Sequence, residues 1–270
     1  MDLVIISSVI SIGGLGLLFG AGLAFASKKF AVEVDPKIEE IIEILPNANC
    51  GACGYPGCSG YAEAIVKGGG DVKIDLCAPG GADTITNIAA IMGFEAGEGK
   101  ERMVAVVQCQ GDNAKAPKRF QYQGIADCVA AELIMGGDKA CVYGCLGLGS
   151  CVQACLFDAI AMGENGLPVV DDEKCTACGM CVTACPRGIM KIIPISQKIF
   201  IGCVSQDKAK KVKEVCSIGC TGCTLCSRPK VTPSGAIVMD GNLPNIINPY
   251  AEDLPAAVEK CPAKSFVVRQ

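Results

Sequence analysis

The sequence contains no histidine and no tryptophan, and aromatic residues make up only 5% of its 270 positions. Without imidazole there is no His-ligated catalytic zinc, no Rieske centre, no CxxCH haem site and no Cys-His or Ser-His nucleophile. An excess of positive charge is missing as well: 24 Lys and Arg stand against 28 Asp and Glu, a formal net charge of −4. The basic signature of a nucleic-acid-binding protein is therefore absent. What the chain has in abundance is cysteine, twenty residues of it. They are spread over a chain too long for a small disulfide scaffold, and their clustering favours several small metal-holding modules over one large domain.

The amino-terminal stretch is the one long run without charge. From Leu3 to Ser27 the sequence LVIISSVISIGGLGLLFGAGLAFAS holds 25 uncharged residues. At about 1.5 Å per residue it makes a helix of about 37 Å, enough to cross a hydrocarbon core of about 30 Å. Lys28 and Lys29 follow at once, so the positive-inside rule places the rest of the chain in the cytoplasm, below the inner cell membrane. A cleaved signal peptide is the competing reading, because Ala24-Phe25-Ala26 has the look of a cleavage site. Asp2 stands where a basic region belongs, however, and the apolar run is too long for a signal peptide. Gly16, Gly20 and Gly22 offer a smooth face for another membrane helix, or are simple filler.

The cysteines sort by spacing into four sets of four. The first is Cys50, Cys53, Cys58 and Cys77, in the order C-x2-C-x4-C-x18-C. It follows DPKIEEIIEIL, which reads as an amphipathic helix capped by Asp35 with Pro36 at its first position. Four thiolates also suit tetrahedral zinc, but a close triplet with one remote ligand in the glycine-rich loop NANCGACGYPGC suits a [4Fe-4S] cubane better.

The second and third sets interlock. Cys175, Cys178, Cys181 and Cys185, followed by Pro186, form the bacterial ferredoxin run C-x2-C-x2-C-x3-C-P, whose fourth cysteine serves the other cluster. The partner run is irregular. Cys145, Cys151 and Cys155 take the first, third and fourth places, and Leu148 falls where the second cysteine belongs. Cys141 is the expected substitute. The expected sets are therefore Cys141, Cys145, Cys151 and Cys185 for one cluster, and Cys155, Cys175, Cys178 and Cys181 for the other. Each run is followed by a short strand, in LFDAIAM and in PRGIMKI.

The fourth set is a ferredoxin with half its ligands lost. Cys220, Cys223 and Cys226 open a run, Lys230 stands where its fourth cysteine would be, and Cys261-Pro262 closes a second run whose triplet is missing. The survivors are the four ligands of a single cluster. A purely local site on Cys216, Cys220, Cys223 and Cys226 is the rival reading.

Cys109, Cys128, Cys203 and Cys216 remain. Cys109 ends the strand pattern MVAVVQC and Cys203 ends KIFIGC. Each is followed by a polar loop, a helical pattern and a C-x-x-G-C step, Cys141 to Cys145 and then Cys216 to Cys220, which reads as an internal duplication. The four are read as small buried hydrophobes, with a fifth metal site as the alternative.

These features resemble the B subunit of the Rnf ion-translocating electron-transport complex over essentially the whole chain. The resemblance is carried by the membrane helix, NCGACGYPGC with Cys77, YQGIADCVAAELIMGGDKACVYGCLGLGSC, GLPVVDDEKCTACGMCVTACP and SIGCTGCTLC. It implies electron transfer between reduced ferredoxin and NAD coupled to Na+ or H+ translocation. In that scheme the chain accepts electrons from soluble ferredoxin and passes them to membrane and flavin-carrying subunits.

The expected fold is α+β. It comprises a transmembrane anchor (1–28), a small helical 4Fe-4S domain (29–98), a two-cluster ferredoxin-like domain with a leading strand and helix (99–195), and a degenerate one-cluster ferredoxin-like domain (196–270). Four [4Fe-4S] clusters are expected, with a fifth as the alternative. Modules of about 45 to 60 residues are too small to be stable on a core alone, so the metal must supply folding energy. Twenty thiols require a reducing compartment. The dense basic patch available to an acidic ferredoxin is Lys208, Lys210 and Lys211 with Lys198 and Lys213, which reads equally as a solvated helix face. Two other functions stay open: a membrane-bound polyferredoxin serving a different reductase, and a non-redox cluster scaffold.

Overall fold

The computed structural model describes residues 2–30, 35–94 and 101–269, so the expected boundary at 98–99 lies outside the described residues. The chain opens on helix α1 (Asp2–Lys29). Its segment Ile5–Lys29 is long and apolar enough to cross a membrane, and none of it is buried against the rest of the chain.

Three helices follow: α2 (Pro36–Ile44), α3 (Gly57–Gly68) and α4 (Gly81–Met92). The Asp35 side chain accepts from the Lys37 N–H at 3.0 Å and Pro36 needs no partner at the first helical position, so α2 starts where its sequence says. Ile38 and Ile41 of α2 meet Tyr61, Ala62 and Ile65 of α3 and Ile88 of α4 in one core, with Cys58 and Cys77 at its edge. Tyr61 is the pivot. Its hydroxyl donates to the Lys73 carbonyl at 2.8 Å and accepts from the Leu76 N–H at 3.3 Å, tying the loop before Cys77 to α3. Burial pushes the Tyr61 hydroxyl up to about 12, so it stays protonated in this role.

The middle of the chain contains β1 (Met103–Val107), α5 (Cys128–Leu133), α6 (Ser150–Gln153), β2 (Ile160–Met162), β3 (Pro168–Val170), α7 (Met180–Thr183) and β4 (Met190–Pro194). Strands β1 and β4 pair antiparallel from Met103↔Pro194 to Val107↔Met190, and β2 pairs antiparallel with β3. The two short helices α6 and α7 are copies of one design. Each is preceded by a left-handed glycine, Gly149 (φ 81°) and Gly179 (φ 78°), a conformation that favours a residue without a Cβ. Each also carries a buried cysteine, Cys151 and Cys181. Val104, Val106, Ile160, Met190, Ile193 and Phe200 close the core between them. Arg102 donates to the carbonyls of Asp172 and Glu173, at 2.5 and 2.7 Å, which anchors β1 to the loop before Cys175.

The last part contains β5 (Ile199–Ile201), α8 (Ala209–Val215), a 3-10 turn at Leu225–Ser227, β6 (Ile237–Asp240), β7 (Leu243–Ile246), α9 (Leu254–Lys260) and β8 (Phe266–Val268). Strand β5 pairs antiparallel with the carboxy-terminal β8, and β6 with β7. Ile201, Ile237, Leu254, Ala257 and Phe266 form its core around Cys220 and Cys226. Phe200 faces the middle core and Ile201 the last one, so the alternation of β5 joins the two.

Candidate metal centres

The thiols gather into cages. Cys77 is raised chiefly by burial; the Gly80 N–H opposes this, and the thiols of Cys58, Cys50 and Cys53 reinforce it. The four cysteines of the first set therefore stand near one another.

A second cavity is lined by Cys128, Cys145, Cys151 and Cys185, with Pro186, Arg187 and Ile189. Here the structure departs from the sequence reading, because Cys141 is not in it. Cys128 occupies the place instead, held by a specific bond relay. Its N–H donates to the Ser150 hydroxyl at 2.7 Å, and that hydroxyl donates to the Asp127 carboxylate at 2.8 Å. Asp127 in turn caps α5 through the Ala130 N–H at 2.8 Å. The start of α5 is thereby fixed beside the start of α6, where Cys151 sits. Burial pushes the Cys145 thiol up to about 12 and the Cys151 thiol to about 11.

Cys155, Cys175, Cys178 and Cys181 line a third cavity with Ala105, Ile160 and Ile192. Backbone N–H groups point at its sulfurs: Ala105 to Cys175 and Ala159 to Cys155, each at 3.3 Å. The Cys181 thiol is pushed up to about 12, by burial first and then by Cys175 and Cys178 beside it. A fourth cavity is lined by Cys220, Cys223, Cys226 and Cys261 with Ile201, Pro262 and Phe266. Cys223 is exposed at its rim, and the Ser265 N–H reaches Cys261 Sγ at 3.5 Å.

Cys141 lines a further cavity with Cys109, Cys203 and Cys216. The four cysteines left over by spacing are thus divided: Cys128 joins the second cavity and the other three meet Cys141. The signal for this was present. Cys141 and Cys216 open matching C-x-x-G-C steps, so equivalent places in a duplication belong to both.

Among the described residues, no group of three or more Cys, Asp or Glu converges as the ligands of a single metal ion do. The sulfurs surround a space in sets of four, with N–H donors aimed at them and no carboxylate among the lining cysteines. That donor set fits an iron–sulfur cubane. Lys208, Lys210 and Lys211 lie exposed at the start of α8, and Lys211 pairs with Asp207 at 3.1 Å.

Comparison with known proteins decides the family. Residues 45–79 match the family described as a putative Fe-S cluster, and residues 168–191 the 4Fe-4S binding domain. The B subunit of the ion-translocating oxidoreductase complex of Methanosarcina acetivorans is 41% identical over 269 residues, 100% of both chains. The chain belongs to the B-subunit family of Rnf-type ion-translocating oxidoreductase complexes. The B subunit of the Na+-translocating ferredoxin:NAD+ oxidoreductase complex of Acetobacterium woodii is 45% identical over 93% of this chain and 74% of its own. The B subunit of the proton-translocating ferredoxin:NAD+ oxidoreductase complex of Clostridium ljungdahlii is 44% identical over 76% of this chain and 72% of its own. This Rnf-type chain is an iron–sulfur electron-transfer subunit, with a helix suited to anchor it in the membrane.

Proposed function

We propose that this subunit accepts electrons from reduced soluble ferredoxin on the cytoplasmic side and passes them, cage by cage, to the membrane and flavin-carrying subunits of its complex. The reading includes [4Fe-4S] clusters held by Cys50, Cys53, Cys58 and Cys77; by Cys128, Cys145, Cys151 and Cys185; by Cys155, Cys175, Cys178 and Cys181; and by Cys220, Cys223, Cys226 and Cys261. It also divides the chain into an anchor, a helical cluster domain and two ferredoxin-like modules. The names of the relatives from Acetobacterium woodii and Clostridium ljungdahlii support ferredoxin and NAD as the terminal couples. Lys28 and Lys29 at the end of α1 support the cytoplasmic orientation.

The observation that carries the proposal is the contiguity of the cages. Cys178 is raised by burial first and, among smaller influences, by Cys50 of the first cage. The loop Asp75–Cys77 and the loop Cys175–Ala177 line one cavity between these two cages. Cys181 likewise feels Cys151 of the second cage. A [4Fe-4S] cluster, when bound, supplies one-electron chemistry at a potential between about −700 and +450 mV, set by hydrogen bonds, charge and exposure. The chain's own part is to hold four thiolates fixed, aim N–H groups at them and exclude water with Ile160, Ile192 and Phe266. The first cage lies nearest to α1 in sequence and is the exit to the membrane subunits.

The test uses the complex carrying Cys58→Ser in this chain. Reduced ferredoxin should still bleach the clusters of the remaining cages, while electron flow from ferredoxin to NAD falls at least tenfold. Unchanged flow with the first cluster gone would overturn the order proposed.

A further inference from the structure

We propose that Cys109, Cys141, Cys203 and Cys216 hold an additional [4Fe-4S] cluster in a cage built jointly by the two halves of the chain, a reading that rests on the electron-transfer function above. The four thiols come from four separate segments and line one cavity. The duplication explains why. Each half contributes the cysteine that follows its leading strand, Cys109 after β1 and Cys203 after β5. Each also contributes the first cysteine of its C-x-x-G-C step, Cys141 or Cys216, while the second cysteine of that step, Cys145 or Cys220, turns into its own module's cage. Neither half can close this site alone.

The surroundings suit a cluster. A Cβ on Gly111 would lie 3.1 Å from Ala116 and 3.4 and 3.7 Å from Cys216 Sγ and Cys109 Sγ, and one on Gly219 would lie 2.5 Å from Val212 and 3.7 Å from Cys216 Sγ, so both glycines bring backbone close to the sulfurs. Lys139 is 1% exposed and donates to the carbonyls of Gly111 and Asp112 at 3.0 and 3.1 Å. These carbonyls lie two and three residues after Cys109. Burying an ammonium on two neutral carbonyls is costly, and a cluster of about −2 (a 2+ core on four thiolates) beside it would offset that cost. Assembly exchanges four S–H bonds for four S–Fe bonds and releases four protons, with two ferrous ions, two ferric ions and four sulfides entering, so that the core is 2+ with no further oxidant.

Position gives the cage its role. The Cys145 N–H donates to Cys109 Sγ at 3.4 Å, joining this cage to the second. Cys203 feels both the backbone and the thiol of Cys220, which places this cage beside the last. The site thus closes the interval between the two ferredoxin-like modules, and the five cages form one line from the Cys50 loop to the exposed Cys223.

The test is iron and acid-labile sulfide per full-length chain, purified in detergent without oxygen and reconstituted with iron and sulfide. The wild type should carry about twenty irons, five clusters of four. Cys141→Ser and Cys203→Ser should each remove about four irons, and the double variant no more than either alone, because both cysteines serve one cluster. Loss of about eight in the double variant would return Cys141 to another cluster and overturn the proposal. So would a wild-type count near sixteen, a reading that stands even where a variant fails to fold. A wild type with little or no iron would overturn the electron-transfer function itself.

Discussion

The amide of Cys145 points at the sulfur of Cys109, 3.4 Å away, although the two side chains line different cavities. A single peptide group therefore stands between two cages, close enough for an electron to pass and polar enough to favour the reduced, more negative form of the site it faces. Cys203 is influenced in turn by Cys220, where the last cage begins.

Cys128 and Cys141 should be separable by experiment. Cys128→Ser is expected to remove the second cluster and, with it, the spin coupling to the cluster on Cys155, Cys175, Cys178 and Cys181. Cys141→Ser should leave that coupling in place. Electron paramagnetic resonance of the reduced variants checks this, and the reverse pattern would restore the assignment expected from spacing.

The division between these two cysteines also shows what the chain discloses by itself. The uncharged run ending at Lys28, the Asp35-Pro36 helix start and the regular ferredoxin run at Cys175–Cys185 are local patterns, so they can be read residue by residue. The partner of Cys145 is not local. It depends on Ser150 linking Cys128 to Asp127, a tertiary contact across 22 residues. Spacing favoured the nearer Cys141, whereas the duplication, which pairs Cys141 with Cys216, pointed the other way. Lys139 is a further case: nothing in GGDKAC marks that lysine as buried.

Tyr61→Phe should lower stability by about 0.5–1.5 kcal/mol, because the Leu76 N–H loses its acceptor and the Lys73 carbonyl its donor. The loop holding Cys77 loosens with it. Thermal unfolding of the reconstituted protein and the rate of cluster loss in air are the readouts. An unchanged air-loss rate would mean the tyrosine does not support the cage.

Removing the charge of Lys139 should make the adjacent cluster harder to reduce. Reduction adds a negative charge, which the buried ammonium stabilises, so Lys139→Met lowers the potential of the shared cage and leaves that of the first cage unchanged. Redox titration followed by electron paramagnetic resonance decides. Equal shifts at both cages would indicate a general loosening instead.

The lysines of α8 lie over the shared cage, since Val212 and Val215 of this helix line its wall while Lys208, Lys210 and Lys211 are exposed. Replacing these three with glutamate should weaken reduction by ferredoxin at low ionic strength and flatten its salt dependence. Stopped-flow reduction across a salt series measures both. Identical rates at every ionic strength would place the docking surface elsewhere.

The central claim is that the cages form one continuous path, and interrupting its middle tests it most directly. Full-length protein carrying Cys216→Ser, reduced to completion, should show the last cluster as an isolated signal free of spin coupling, while the signals of the first three cages keep the mutual coupling they have in the wild type. A last cluster whose spectrum is the same in variant and wild type would contradict the path.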